Sequence, residues 1–127
     1  MSEDDRHKRG ADALASIHGE RGLGYVRKLA EFAPDFADML VAFPYGDIYA
    51  RPGLDPKSRQ IATIAGLTAL GGADHELEIH IRSALNVGCT RTEIIEVIMQ
   101  MAIYAGFPRA LSALAAARAA FKSLDEA

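Results

Sequence analysis

The sequence predicts an all-α fold, a single-domain bundle of about six to seven helices, and three observations carry that reading. Apolar residues recur at helical spacing through most of the 127 residues, while strand-like alternation is confined to fragments of three or four residues. Helix start and stop signals punctuate the chain at regular intervals. With 50% hydrophobic residues, a chain of this size can bury about two-thirds of the surface its unfolded form exposes. It needs no covalent staples.

Each element follows from local signals. A charged first helix is expected near Asp5 to Ile17, then a break at Gly19 and Gly22, then a second helix near Tyr25 to Phe32 with Val26, Leu29 and Ala30 inward. Pro34 opens a third helix, in which Phe36, Met39, Leu40 and Phe43 form the apolar stripe expected to face the core. The segment PYGDIYARPGL, Pro44 to Leu54, has two prolines and two glycines and reads as a long ordered loop. Asp55 then caps a helix with Pro56 at its first position, running through IATIAGLTAL to Gly71 and Gly72. Asp74 caps the next, which ends at Gly88. Thr90 and Glu93 form a T-x-x-E capping box for a helix reaching Gly106, and Pro108 begins the last, ALSALAAARAAF. Loose ends are expected at about 1–5 and 125–127.

Charge and composition exclude several classes. Fourteen Lys and Arg against seventeen Asp and Glu leave a net charge of −3, with the signs interspersed; no basic run is long enough to track a phosphate backbone, so nucleic acid is not an expected partner. A single cysteine cannot close an internal disulfide, and the start MSEDDRHKRG lacks the apolar core of a signal peptide. The longest apolar tracts are too short or too interrupted by charge to span a bilayer. A cytoplasmic protein with no membrane partner is the expectation. The tract VIMQMAIY, Val97 to Tyr104, is apolar nearly all the way round except at Gln100. Such a helix needs neighbours on more than one side, which a homo-oligomer or a central position within one chain would supply.

The motif HELEIH, His75 to His80, carries the chemistry. It nearly matches the helical H-E-x-x-H metal signature, but its histidines are five apart and diverge by roughly 140° at about 100° per residue. Glu76 and His80, four apart, share a face within about 40°. A Glu/His acid–base pair therefore replaces the metal reading, and no metal is expected. The bland alternative is an exposed ion pair at helical spacing. His75, His7 and His18 are expected to face solvent.

Together, GDIYARPGL, SRQIATIAGLTAL and HELEIHIRSALNVGCTRTEIIEVIMQMAIYAGFP resemble the carboxymuconolactone decarboxylase family, over about Arg6 to Phe121. The resemblance implies an alkylhydroperoxidase D-like helical subunit in a homo-oligomer, commonly a hexamer. It also implies cofactor-independent loss of CO₂ from 4-carboxymuconolactone, giving the beta-ketoadipate enol-lactone in aromatic-acid catabolism. His80 falls on the family motif as the candidate general acid, with Glu76 beside it. Arg51 and Arg59 are the candidate carboxylate clamps, since a guanidinium fork binds both oxygens. Tyr45, Tyr49 and Tyr104 are candidates to wall the substrate pocket, with core packing as the competing role. Arg82 also matches a family position, yet it points about 160° from His80 on its helix.

Redox relatives carry C-x-x-C-x-x-x-H where this chain has Ala73, Glu76 and His80. The paired thiols that their peroxide chemistry requires are absent. Cys89 is expected to be a small buried filler. Two further readings stay open: a binding or assembly subunit without activity, and a thiol-dependent redox protein that uses Cys89.

Overall fold

The computed structural model describes residues 2–127, and all regular structure among them is helical. The expected loose end at residue 1 lies outside the described residues. The chain divides into two compact units, one ending at Asp55 and the other starting at Pro56.

The first unit contains α1 (Glu3–Phe32), α2 (Pro34–Leu40) and a π-helix (Val41–Tyr49). Ser2 caps α1 by accepting from the Asp5 amide. The break expected at Gly19 is present as a kink, with φ 64° and ψ −155°, a conformation open to glycine and few other residues. The expected loop from Pro44 is a correction: α2 runs on without interruption into the π-helix, which carries Pro44 inside it and ends at Tyr49. A wider turn gives the proline ring room that an α-helical turn denies it.

The stripe expected to face the core is a second correction. Phe36, Met39 and Phe43 are each about 60% exposed, and the buried face is Ala37, Val41 and Tyr45. The neighbouring α1 comes very close here: a Cβ on Gly10 would collide with the Val41 carbonyl, and one on Gly46 with the Arg6 carbonyl. Two arginines of α1 fasten the π-helix. Arg6 grips Asp47 with two hydrogen bonds of 3.0 and 2.5 Å, and Arg9 donates to the Gly46 carbonyl at 2.6 Å. The Arg6 hydrogen bonds, aided by the charges of Arg6 and Arg9, hold the Asp47 carboxyl below its ordinary pKa.

The second unit packs α3 (Pro56–Leu70), α4 (Asp74–Asn86), α5 (Arg91–Ala105) and α6 (Phe107–Asp125) around one core. Ile64 of α3, Leu77 and Ile81 of α4, and Ile94 and Ile98 of α5 are at most 2% exposed. Across from them the buried residues of α6 are all alanines, Ala110, Ala113, Ala116, Ala117 and Ala120, so its backbone can approach closely, with Leu114 and Phe121 partly buried beside them. The capping box forms as expected, with Thr90 accepting from the Glu93 amide and Glu93 accepting from the Thr90 amide. Asp74 differs from expectation. It lies in the first turn of α4 and Ala73 takes the cap position, so its carboxylate acts through the positive end of the helix dipole.

Candidate active site

His80 is central to the second unit's polar chemistry. Helical spacing puts Leu77, Ile81 and Ala84 of α4 into the core and leaves His80 at the edge of that face, partly buried. Its Nδ1 lies 3.0 Å from Oε1 of Gln60 on α3. Gln60 is fully buried, and it shares a face of α3 with Ile64 and Thr68 at intervals of four residues. Sequence reasoning missed it. The available signal was a long polar side chain at the same spacing as the apolar residues of that face.

Burial pushes the His80 imidazole down from 6.5 to about 4; the nearby Glu76 carboxylate acts in the opposite direction and is outweighed. At neutral pH the resting ring is therefore neutral. Glu76 itself is exposed in the first turn of α4, one helical turn before His80.

The other candidates are distributed between the two units. Arg59 is partly buried on α3, immediately before Gln60. Tyr104 is 77% exposed near the end of α5. Arg82 forms an ion pair with Glu78 at 3.2 Å along its own helix. In the first unit Arg51 is exposed just beyond the π-helix, with its amide donating to the Ile48 carbonyl at 3.0 Å. Tyr45 is buried, stacked on Tyr49 with ring centroids 5.0 Å apart. Its hydroxyl lies 2.5 Å from Nε2 of His18. His18 is thus a correction, since it faces this tyrosine where solvent was expected. Desolvation raises the Tyr45 pKa, so its hydroxyl keeps its proton throughout the neutral range.

Cys89 is buried in the second unit's core, its sulfur 3.9 Å from the Lys57 carbonyl. It packs as filler. Among the described residues no three His, Cys, Asp or Glu side chains stand together as a metal-ligand set. No helix among them is long and apolar enough to cross a membrane.

A family model described as the carboxymuconolactone decarboxylase family matches residues 34–119. The chain belongs to that family. One similar protein, 35% identical over 125 residues and covering 98% of this chain and 92% of the relative, is a 4-carboxymuconolactone decarboxylase of Acinetobacter baylyi. A second family relative, 34% identical over 103 residues and covering 81% of this chain and 69% of the relative, is a nitrosuccinic acid decarboxylase of Metarhizium robertsii. A third, from Paracoccus denitrificans, is an uncharacterized 15.0 kDa protein, 36% identical over 103 residues, covering 80% of this chain and 76% of the relative.

The lowered pKa of His80 has a stability consequence. Because the unfolded chain binds this proton more readily than the folded one, the stabilisation is complete above pH 6.5 and is lost as pH falls through about 4. Urea unfolding of wild type and His80→Gln should therefore give a stability difference that moves against wild type between those values. It should level off below them. A difference that stays flat, or that moves in favour of wild type on acidification, would contradict a buried neutral ring.

Proposed function

We propose that the protein is a cytoplasmic, cofactor-independent decarboxylase working as one domain, with 4-carboxymuconolactone of aromatic-acid breakdown as its substrate. The observation that carries this reading is the partly buried His80, held by Gln60 one turn from Glu76, in a chain similar over nearly its whole length to a 4-carboxymuconolactone decarboxylase.

The chemistry needs little beyond such a group. In this lactone the departing carboxylate sits on the carbon gamma to the ring carbonyl. When the bond to CO₂ breaks, its electron pair passes through the ring double bond into that carbonyl as a dienolate. The substrate is its own electron sink. What remains is to bind the carboxylates, stabilise the dienolate oxygen and give a proton to the carbon alpha to the carbonyl.

A ring whose pKa is near 4 in the resting protein suits the last task. The anionic substrate brings negative charge to the ring and raises its proton affinity, so the imidazolium forms in the complex. Once formed in a desolvated setting it is a strong acid toward carbon. Glu76 supplies further negative charge that favours the imidazolium. Arg51 and Arg59 serve as carboxylate clamps, with Tyr49 and Tyr104 lining the substrate; Tyr45 supports Tyr49 from behind by stacking. The nitrosuccinic acid decarboxylase relative supports a second reading of the substrate, a small dicarboxylic acid whose nitro group takes up the electron pair. Both readings use the same proton delivery. A buried Cys89 speaks against the thiol-dependent alternative.

We also propose a homo-oligomer, a hexamer by family resemblance. Met99, Ile103, Tyr104, Phe107 and Leu111 of α5 and α6 are each 51–77% exposed, and large apolar side chains left exposed together mark surfaces that associate. Ile94 and Ile98 bury the opposite face of α5. Sedimentation at micromolar concentration should give a mass several times 13.7 kDa. A monomeric mass would refute assembly.

Turnover of 4-carboxymuconolactone tests the chemistry directly. His80→Gln keeps polarity and approximate size but cannot protonate carbon, so kcat should fall by about 10²- to 10⁴-fold. Arg51→Ala should raise KM at least as much as it lowers kcat, since a carboxylate clamp acts already on bound substrate. Near-normal turnover by His80→Gln would remove His80 from the role of acid.

A further inference from the structure

We infer that Gln60 is a positioning residue that holds the neutral His80 ring in its Nδ1–H tautomer, making Nε2 the nitrogen that gains and loses protons. The inference rests on the reading of His80 as the acid for its catalytic meaning, and on geometry alone for the tautomer.

Three polar side chains of the second unit are buried, and they solve their hydrogen bonding differently. Thr68 donates to the Ile64 carbonyl at 2.7 Å and Ser83 to the Ile79 carbonyl at 3.1 Å, each within its own helix. Gln60 instead reaches across from α3 to α4, where its Oε1 meets Nδ1 of His80. Its amide nitrogen is buried without a hydrogen-bond partner. A buried donor left unmet is destabilising. An apolar side chain of similar length, such as methionine, would fill this site without that cost. Stability alone therefore does not account for a glutamine here, whereas its contact with His80 does.

The contact fixes a proton. With its oxygen facing the ring, as the structure places it, the carboxamide accepts, so Nδ1 carries hydrogen and the neutral ring's lone pair lies on Nε2. On protonation Nδ1–H still donates to the same oxygen, so one partner serves both forms of the ring. Being uncharged, the carboxamide does so without raising the ring's proton affinity as a carboxylate would. An unconstrained neutral imidazole prefers Nε2–H, so the opposite tautomer is a specific signature of the Gln60 contact.

The test is ¹⁵N NMR of the full-length protein labelled at histidine, at a pH where the ring is neutral. Of the four histidines, the His80 signals are those missing from His80→Gln. In wild type they should show a protonated Nδ1 and an unprotonated Nε2. Gln60→Met should lose that signature, keep or gain resistance to urea, and reduce kcat by about 10- to 100-fold, the range for removing the partner that orients a working histidine. Gln60→Glu, which keeps an acceptor oxygen, should retain the Nδ1–H signature and keeps the question answerable if Gln60→Met does not fold. An Nε2–H tautomer in wild type, or an unchanged Nδ1–H tautomer in Gln60→Met, would overturn the inference. A switched tautomer with unchanged turnover would uphold Gln60 as the lock and overturn His80 as the acid.

Discussion

The hydrogen bond between His80 on α4 and Gln60 on α3 joins two helices at the edge of a core built mainly of isoleucine, leucine and alanine. Everything around it enforces its geometry. Ile64 stands one turn beyond Gln60, and Leu77 and Ile81 flank His80, all of them at most 2% exposed. Side chains packed this tightly move only in discrete steps, so the imidazole is held in one orientation. The same packing withdraws water from the ring and favours its neutral form, and the nearby carboxylate of Glu76 does not reverse the balance. Orientation and acidity thus have one cause.

The first unit meets a different demand, which is to hold a short stretch of backbone rigid without a large apolar core. Its means are close backbone approach at Gly10 and Gly46 and a charge clamp of Arg6 and Arg9 on the π-helix. The clamp sits on Asp47, four residues before Arg51. Tyr45 and Tyr49 stack on the same stretch of π-helix. Arg51 thus follows directly on a braced segment of its own unit. The proposed reaction calls for no cofactor when the substrate's own carbonyl accepts the electron pair.

Much of this architecture was legible in the sequence, and the failures share a physical origin. Pro56, the Thr90–Glu93 box and Pro108 mark helix starts through local hydrogen-bond chemistry, which does not depend on distant residues, and they stand where expected. Gly19 marked the kink because the lack of a Cβ opens a conformation that few other residues adopt. Pro44 misled because the rule that proline ends a helix assumes an α-turn. The Phe36, Met39 and Phe43 stripe misled because periodicity identifies an apolar face without saying what covers it. His80 and Glu76 were singled out from spacing and family resemblance, and the structure places them one helical turn apart on α4. Gln60 and His18 were not, since each makes its contact with a partner 20 or 27 residues away, and local spacing does not name that partner.

In the proposed reaction one fixed imidazole delivers the proton to carbon after CO₂ leaves. Turnover of 4-carboxymuconolactone in D₂O, with the product trapped before it exchanges or hydrolyses, tests this most directly. A proton from a single held donor arrives on one face, so the product should carry one deuterium on the carbon alpha to the lactone carbonyl, enriched on that face. Label divided equally between the two faces would mean that protonation comes from bulk water, and would contradict a positioned His80.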